Sequence, residues 1–404
     1  MGIVRASNIY VPNKNIDLKK WAVVACDQYT SEEEYWLDVE KIVGGEPSTL
    51  KIMYPEVYLE EAKDLKEKRL IQINKYMNEY ISDGTLVTLE NSMVLVERQI
   101  GDRKRIGVVC EVDLDKYDYD LNVNPYIRAT EQTIKDRIPP RLEIRKDAAI
   151  ELPHILILID DKSKSIIENL YKIKDDLEVV YDTELMKQGG HLKGFWVKDE
   201  ALINEFCEKI EKNTRNNITM VVGDGNHSWA TAKDHWRQIK ATLSEEDAKN
   251  HPARYALVEI ENIYDEGLDF FPIHRSLFGL DAEKFIKKYN EKISGKSSVR
   301  AYYKNKEFLL NSPEDSVESF KVIQEFIEEY LKENPDTSVD YIYGESNLKG
   351  VCDNKNGFGL IMNPIKKEEL FPFVEKKQVL PKKTFSMGNA YEKRYYMECK
   401  KIKL

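Results

Sequence analysis

The sequence has few of the features that mark disulfide-bonded, zinc-binding or membrane proteins. Its 404 residues include five scattered cysteines and no Cys-x-x-Cys pair. This pattern argues against a disulfide scaffold and against a thiolate zinc site. No hydrophobic stretch approaches the length of a membrane span, and the first residues contain no apolar signal core. We therefore expect a cytoplasmic protein that has no membrane partner.

The chain also lacks an excess of positive charge. It has 61 lysines and arginines against 71 aspartates and glutamates, for a net charge of −10. A dedicated nucleic-acid-binding protein usually carries a basic excess, so we expect no nucleic-acid partner. The basic residues are still numerous enough to build a local anion pocket. With 42% hydrophobic residues, the chain can bury a sizeable core and form more than one domain.

The order of apolar and polar segments predicts an α+β fold. Short strands and helices alternate without the regular spacing of βαβ units, and no repeat or low-complexity linker separates them. We expect a main α+β domain over residues 1–298 and a smaller C-terminal α+β portion over residues 299–404, packing back on the same pocket. The predicted strands are 21–26, 93–98, 105–112, 155–159, 218–222, 256–260, 341–343 and 358–362. The predicted helices are 30–43, 56–78, 128–147, 200–212 and 316–332.

The most informative segment lies near the middle of the chain. Residues 218–222 form a β-branched apolar run typical of an interior strand, and residues 223–228 then read Gly-Asp-Gly-Asn-His-Ser. Two tryptophans and an alanine at helical spacing predict a helix next, with His227 and Thr231 on the face opposite the core. A glycine-flanked turn of this kind exposes backbone N–H groups at the positive end of a helix dipole. It is therefore a candidate seat for phosphate or another anion.

Other polar segments are weak signals when each is taken alone. The segment from Arg128 to Arg141 mixes guanidinium groups with Glu131, as a solvated helix with ion pairs would. His274 and Arg275 follow a proline and are expected in a loop. No Gly-x-x-x-x-Gly-Lys-Ser/Thr pattern is present, so a P-loop is excluded.

Taken in order, these segments resemble the prokaryotic domain-of-unknown-function 1015 family. That family is in turn similar to the ParB/sulfiredoxin-like superfamily, which includes nucleotide-dependent free-serine kinases. The resemblance rests on residues 223–228, 128–141, 190–196, 272–275 and 381–385, with an echo at residues 46–56. It implies a mixed-sheet ParB/sulfiredoxin-like core with large α/β insertions. It also implies a nucleotide phosphate lying against the turn at residues 223–228.

Two positions depart from the family signature. Asn226 stands where the family has its first histidine, and Ser228 stands where it has an arginine. In the wider superfamily that arginine or its neighbours help to hold a nucleotide phosphate. Another residue would have to supply the missing positive charge. The candidates are Arg275, Arg141, Lys233 and Lys383.

The leading hypothesis is phosphoryl transfer from a nucleotide to a small hydroxyl-bearing metabolite, with free serine among the candidates. The expected cofactor is ATP or ADP with Mg²⁺; no separate metal site is predicted. The expected roles are catalytic for Asp224, His227 and Glu131; phosphate or nucleotide binding for Gly225, Asn226, Ser228, Arg275, Lys383 and Arg141; and substrate pocket for Asp27, Arg128 and His274. Asp224 and Glu131 each fit a general base or a magnesium ligand, and the sequence does not separate these roles.

Two further alternatives were considered. In the first, the chain binds and senses a nucleotide or phosphorylated metabolite without chemistry, which the loss of the family arginine favours. The second, sulfiredoxin-like reductase chemistry, is set aside because the turn contains no cysteine. The sequence leaves open whether amphipathic helices such as 316–332 pack within one chain or between copies, so a homo-oligomer stays one of two alternatives.

Overall fold

The computed structural model describes residues 2–120, 122–376 and 378–404, and these form two compact units. The first unit comprises the chain through Ala129, Thr133–Leu268 and Asn389–Leu404. The second unit comprises Thr130–Gln132 and Asp269–Gly388. Both units combine a sheet with helices, which confirms the α+β class. Within the described part of the chain, no helix is long and apolar enough to cross a membrane.

The first unit contains fifteen of the strands and eight of the α-helices. Its strands are β1 (Val4–Arg5), β2 (Ser7–Pro12), β3 (Val23–Val24), β4 (Leu86–Ile100), β5 (Arg103–Asp113), β6 (Tyr117–Asp118), β7 (Ile127–Arg128), β8 (Ile150–Glu151), β9 (Leu156–Ile159), β10 (Glu178–Leu185), β11 (Gly190–Val197), β12 (Met220–Asp224), β13 (Tyr255–Asn262), β20 (Tyr395–Tyr396) and β21 (Lys400–Lys401). Its helices are α1 (Leu18–Trp21), α2 (Glu33–Val43), α3 (Lys63–Ser82), α4 (Ile138–Arg145), α5 (Ile167–Lys172), α6 (Glu200–Lys212), α7 (Asn226–Lys240) and α8 (Glu245–Asn250).

An eleven-stranded mixed sheet forms the centre of the first unit. Nine strands follow the order β10-β11-β4-β5-β13-β9-β12-β7-β6, while β1 pairs with β5 and β2 pairs with β4. Most pairs are antiparallel, but β12 with β7, β13 with β9 and β6 with β7 are parallel. The strand β12, which leads into the turn, therefore has a neighbour on each side.

The central strands of this sheet are buried on both faces, as residues 93–96 of β4 show. Met93 and Leu95 pack with one apolar cluster, which includes Trp229 of α7. Val94 and Val96 pack with a second cluster, which includes Trp21. Because successive side chains of a strand point to opposite faces, one continuous apolar run supplies both layers. Burial on both sides of β9 and β12 holds the end of β12 in place.

The second unit has a six-stranded sheet and four α-helices. The strands are β14 (Phe271–Phe278), β15 (Ser297–Tyr303), β16 (Lys306–Ser312), β17 (Ser338–Tyr343), β18 (Phe358–Ile361) and β19 (Phe385–Ser386). The helices are α9 (Ala282–Lys292), α10 (Ser316–Glu333), α11 (Glu345–Lys355) and α12 (Lys367–Glu375). Five strands follow the order β16-β15-β18-β14-β17, and β19 pairs with β14. The sequence-based boundary at residues 298 and 299 falls inside β15, within this unit.

Two element predictions were wrong. The predicted helix over residues 128–147 is a two-residue strand, β7, followed by the short helix α4. Pro139 and Pro140 lie in the first turn of α4, where a missing N–H costs no helical hydrogen bond. The predicted loop at His274 and Arg275 is the interior of β14, and both residues are buried.

Candidate functional site

The turn between β12 and α7 has a left-handed glycine as its hinge. Gly225 has φ +78° and precedes the first residue of α7. A Cβ at this position would lie 3.0 Å from Ile155 Cα and 3.1 Å from Ile155 Cγ1. Glycine is therefore required at position 225 for two reasons. A residue with a side chain would be strained in this backbone conformation, and its Cβ would press on the segment before β9.

The backbone donors of this turn are not equivalent. Gly225 N–H donates to Asp224 Oδ1 at 3.0 Å, so the donor predicted to bind phosphate is already in use. No residue in the described part of the chain accepts from Ser228 N–H. The first turn of a helix has no intrahelical acceptor for its N–H groups. Ser228 N–H is therefore a donor without a protein acceptor at the positive end of the α7 dipole.

A lysine from the end of the chain neutralises the acid of the turn. Lys393 Nζ donates to Asp224 Oδ2 at 2.8 Å, and the Lys393 side chain is only 10% exposed. Asp224 thus makes two bonds, one to the backbone of the turn and one to this ammonium group. Lys393 was missed by the sequence analysis, because it lies 169 residues from Asp224 with no motif around it.

A chain of hydrogen bonds runs from Ser228 into the interior of the first unit. Ser228 Oγ lies 2.8 Å from His154 Nε2, and His154 Nδ1 lies 2.7 Å from the Tyr396 hydroxyl. That hydroxyl donates to Cys26 Sγ at 3.2 Å and accepts from Cys26 N–H at 3.2 Å. Burial, followed by the charges of neighbouring acids, raises the pKa of the Cys26 thiol. Burial also raises the pKa of Tyr396 well above its usual value, so both groups stay protonated.

The predicted pocket residue Asp27 lies beside this chain. Asp27 Oδ2 is 4.0 Å from His154 Nε2, and Asp27 Oδ1 accepts from the Gln28 amide at 2.9 Å. Burial alone raises the pKa of Asp27, but the nearby His154 and the Gln28 hydrogen bond outweigh it. The positive charges of Lys393 and Arg141 act in the same direction, and the net pKa is lowered. Asp27 is therefore an ionised carboxylate at neutral pH.

Arg141 forms an ion pair with Glu56 at the same site. The Arg141 side chain is 14% exposed and that of Glu56 is 10% exposed. Burial raises the pKa of Glu56, the Asp27 charge raises it further, and Arg141 opposes both. The backbone ties Glu56 to the Asp27 segment, since Glu56 N–H donates to Cys26 O at 2.8 Å. Arg141 thus contributes a positive charge that lowers the pKa of Asp27, and its phosphate-binding role stays a prediction.

His227 and Asn226 contact the segment that follows β7. His227 Nε2 accepts from Ile134 N–H at 3.3 Å, and Asn226 Nδ2 donates to Thr133 Oγ1 at 3.3 Å. His227 is half-buried rather than exposed on an open face. Thr231, predicted on the same open face, is buried and bonds His227 O. The prediction that Thr231 lies opposite the core was wrong, because α7 is packed on more than one side.

The predicted residues of the first unit therefore divide into two groups. Five turn residues and two from other segments are gathered by the contacts above: Asp27, Arg141, Asp224, Gly225, Asn226, His227 and Ser228. Arg128 instead bonds Asn124 Oδ1 and the Pro125 carbonyl. Lys233, considered as a source of positive charge, is buried and donates to Leu114 O at 2.7 Å.

The remaining predicted residues belong to the second unit. The buried Arg275 guanidinium donates to the carbonyls of Ile273 and Lys383. Burial lowers its pKa to about 10, and a phosphate would have to compete with these internal bonds. Burial also lowers the pKa of His274 to about 4, so this imidazole is neutral.

Two further residues of the second unit were predicted to act at the site. Lys383 is exposed, and its Nζ lies 3.4 Å from the Tyr343 hydroxyl. Glu131 pairs with Leu380 in a short parallel bridge. The predicted catalytic and binding roles of both residues stay predictions.

The acidic side chains of the site do not form a metal cage. Among residues 2–120, 122–376 and 378–404, no three histidine, cysteine or acidic side chains are grouped to hold a metal ion. Mg²⁺ that accompanies a nucleotide is usually held by one or two carboxylates and the phosphates themselves. Asp27 carries an ionised carboxylate of this kind, whereas both oxygens of Asp224 already accept hydrogen bonds.

A comparison with protein families decides where the chain belongs. The family model described as "Protein of unknown function (DUF1015)" matches residues 10–396. The chain is a member of this family. The resemblance noted in its motifs is thereby confirmed. No curated protein matches the chain.

Several solved structures are similar over most of their length, but only weakly. A free serine kinase mutant in complex with ADP is 12% identical, with a TM-score of 0.40, covering 73% of this chain and 92% of that one. A conserved hypothetical protein from Pyrococcus furiosus is 14% identical, with a TM-score of 0.35 and coverage of 71% and 93%. C-terminally truncated SbnI from Staphylococcus aureus is 10% identical, with a TM-score of 0.36 and coverage of 69% and 81%.

Proposed function

We propose that this protein binds a nucleotide and transfers a phosphoryl group to a small hydroxyl-bearing metabolite, with free serine among the acceptors. The observation that carries the proposal is the charge arrangement around the left-handed Gly225. A helix N-terminus with the available Ser228 N–H lies next to the cation of Lys393 and the ionised carboxylate of Asp27. Anion-binding and acid–base groups are thus combined within one unit.

Phosphoryl transfer suits this arrangement because it needs positioning and charge neutralisation more than covalent chemistry. Under the proposal, Ser228 N–H donates to a phosphate oxygen at the positive end of α7. Lys393 and Arg141 offset the negative charge that develops on the transferred group. Both side chains are largely buried, and partial removal of water strengthens each of these interactions.

Asp27 is the carboxylate best suited to accept the proton of the attacking hydroxyl. Its lowered pKa keeps it ionised, and its 26% exposed side chain can be approached from solvent. Asp224 is less suited, since both of its oxygens already accept hydrogen bonds. The proposal therefore assigns the general-base role to Asp27 and a structural role to Asp224, with Mg²⁺ neutralising the bound phosphates.

Coupled assays test the proposal by following the release of nucleoside diphosphate from Mg-ATP and of nucleoside monophosphate from Mg-ADP. The protein is incubated with Mg-ATP or Mg-ADP and a panel of acceptors that includes L-serine, other hydroxyl amino acids and sugars. The expected result is product formation that requires one acceptor class and is lost in Asp27→Asn. Nucleotide that binds but stays intact with every acceptor would contradict phosphotransfer.

One observation favours a second candidate, a protein that binds a nucleotide or phosphometabolite without chemistry. Both cations of the site are already ion-paired, Lys393 with Asp224 and Arg141 with Glu56. The family arginine is also absent, because Ser228 occupies its position. Such a protein would show saturable nucleotide binding by calorimetry, and the recovered nucleotide would be unchanged in mass after prolonged incubation.

A further inference from the structure

The Ser228 hydroxyl lies in hydrogen-bonding contact with an imidazole. The Ser228 Oγ to His154 Nε2 distance is 2.8 Å, which is within reach for proton transfer. His154 is 8% exposed, whereas Ser228 is half-buried. We propose that Ser228 is a phosphoryl-accepting nucleophile and that His154 is its general base. The identity of the donor, a nucleoside triphosphate, rests on the proposed function.

The neighbours of His154 set its tautomer. The Tyr396 hydroxyl directs its proton to Cys26 Sγ and accepts from Cys26 N–H. The phenol oxygen is then an acceptor for the Nδ1–H of His154, which lies 2.7 Å away. A proton on Nδ1 leaves the lone pair of Nε2 facing the Ser228 hydroxyl.

Two further groups complete the arrangement expected of an activated serine. Asp27 Oδ2, 4.0 Å from His154 Nε2, stabilises the positive charge that the imidazole acquires on taking the proton. The second group is the backbone N–H of Ser228 itself, in the first turn of α7. It has no acceptor in the described part of the chain. It is placed to bind an oxygen of the phosphoryl group under attack.

The first half-reaction is balanced by these groups and the nucleotide. Ser228 Oγ bonds to the γ-phosphorus while the bond from that phosphorus to the β–γ bridging oxygen breaks, and the nucleoside diphosphate leaves with the electron pair. The Ser228 proton moves to His154 Nε2. In the second half, the acceptor oxygen bonds to phosphorus as the Oγ–P bond breaks. His154 returns its proton to Ser228 Oγ, and the acceptor proton leaves through Asp27 to solvent.

An organophosphonate probe tests the activated serine independently of any nucleotide. The full-length protein is treated with a fluorophosphonate, and the modified residue is found by intact mass and peptide mapping. We expect one adduct on Ser228, formed as the P–F bond breaks. Ser228→Ala should abolish it, and His154→Gln should slow it by about 10²-fold or more, the usual contribution of a general base. The control Ser244→Ala alters a serine that caps α8 without contacting a histidine and should leave the rate unchanged.

A second experiment uses Mg-ATP carrying a labelled γ-phosphate, without acceptor. Acid-stable label on Ser228 in the wild-type protein supports the proposal. The serine nucleophile is overturned if turnover requires an acceptor but leaves no label on Ser228. It is also overturned if Ser228→Ala turns over at the wild-type rate. Either result leaves the proposed function intact. An organophosphonate adduct on Ser228 in a protein that does not bind nucleotide supports the activated serine and overturns the proposed donor. If Ser228 carries neither the organophosphonate adduct nor the phosphate label, the proposed nucleophile is overturned.

Discussion

If the turn binds an anion as proposed, individual ion pairs should set the affinity. Lys393 is the clearest case, because its ammonium group is largely buried and touches the acid that precedes Gly225. We predict that Lys393→Met weakens nucleotide binding about 10- to 100-fold, since a charge-assisted hydrogen bond contributes roughly 1.5–3 kcal/mol. Isothermal titration checks this, with the exposed Lys401→Met as the matched control from the same segment. Equal affinities for the two variants would contradict a phosphate role for Lys393.

A buried histidine of α7 couples stability to pH. Burial lowers the pKa of His235 to about 4, and its Nδ1 has no hydrogen-bond partner in the described part of the chain. The unfolded chain takes up this proton near pH 6.5, so the unfolding free energy falls as pH drops from about 6.5 to about 4. We predict that the unfolding free energy of His235→Gln falls by about 3 kcal/mol less than that of the wild type over this pH range. Urea unfolding at several pH values measures the difference. An unchanged pH slope in the variant would be inconsistent with a buried neutral imidazole.

At the residue scale the sequence supplied only part of the site. Asp27 lies 4.0 Å from His154 Nε2, and Arg141 forms an ion pair with Glu56. The roles predicted for Asp27 and Arg141 stay predictions. His154 stands alone before an apolar strand, and Tyr396 lies 242 residues further on, so no spacing links the two. The contact between His154 and Tyr396 can therefore be identified only from the folded structure.

The turn from β12 to α7 can be tested as an element through its glycine. Gly225→Ala combines a left-handed backbone with a close approach to Ile155, whereas Gly84→Ala meets nothing within 4 Å at φ +83°. We predict a cost of about 1–2 kcal/mol for Gly84→Ala from backbone strain alone, and a larger cost for Gly225→Ala. Denaturant unfolding gives both values, and nucleotide affinity should fall only for Gly225→Ala. Equal costs and unchanged affinity would show that the close packing of the turn is unimportant.

Strands and helices with strong periodicity were predicted well. The hairpin of β4 and β5, the helix α6 and the strand β9 lie where the apolar pattern placed them. Helix α6 is also fixed by its cap, since the Asp199 side chain accepts from Leu202 N–H. The helix predicted over residues 128–147 was wrong because the charged composition of this segment resembles that of a solvated helix. The strand β7 forms there instead because it pairs with β12 and β6. Pairing between distant strands leaves no local signature.

At the scale of the whole molecule, the division into units could not be predicted from composition. The chain leaves the first unit after Leu268 and returns to it at Asn389, without a glycine-, proline- or serine-rich linker. The returning segment brings Lys393 and Tyr396 to the site. A boundary drawn once along the sequence therefore separates Lys393 and Tyr396 from the residues of the first unit that they contact.

Ligand binding should be visible in the stability of the whole protein. Nucleotide at about 100 times its dissociation constant adds about 2.7 kcal/mol to the unfolding free energy, which corresponds to a rise of a few degrees in Tm. We predict this rise with Mg-ATP and a much smaller one with adenosine at equal concentration, because the phosphate contacts carry the affinity. Differential scanning calorimetry checks both, and equal shifts would mean that the phosphates make no contact of consequence.

The most direct test of the phosphate-binding turn is a crystal structure of the protein grown with Mg²⁺ and a non-hydrolysable ATP analogue. The account predicts electron density for a phosphate within hydrogen-bonding distance of Ser228 N–H, with Lys393 or Arg141 against it. Clear density for the nucleotide at another place on the protein, with Ser228 N–H bonded only to water, would contradict it.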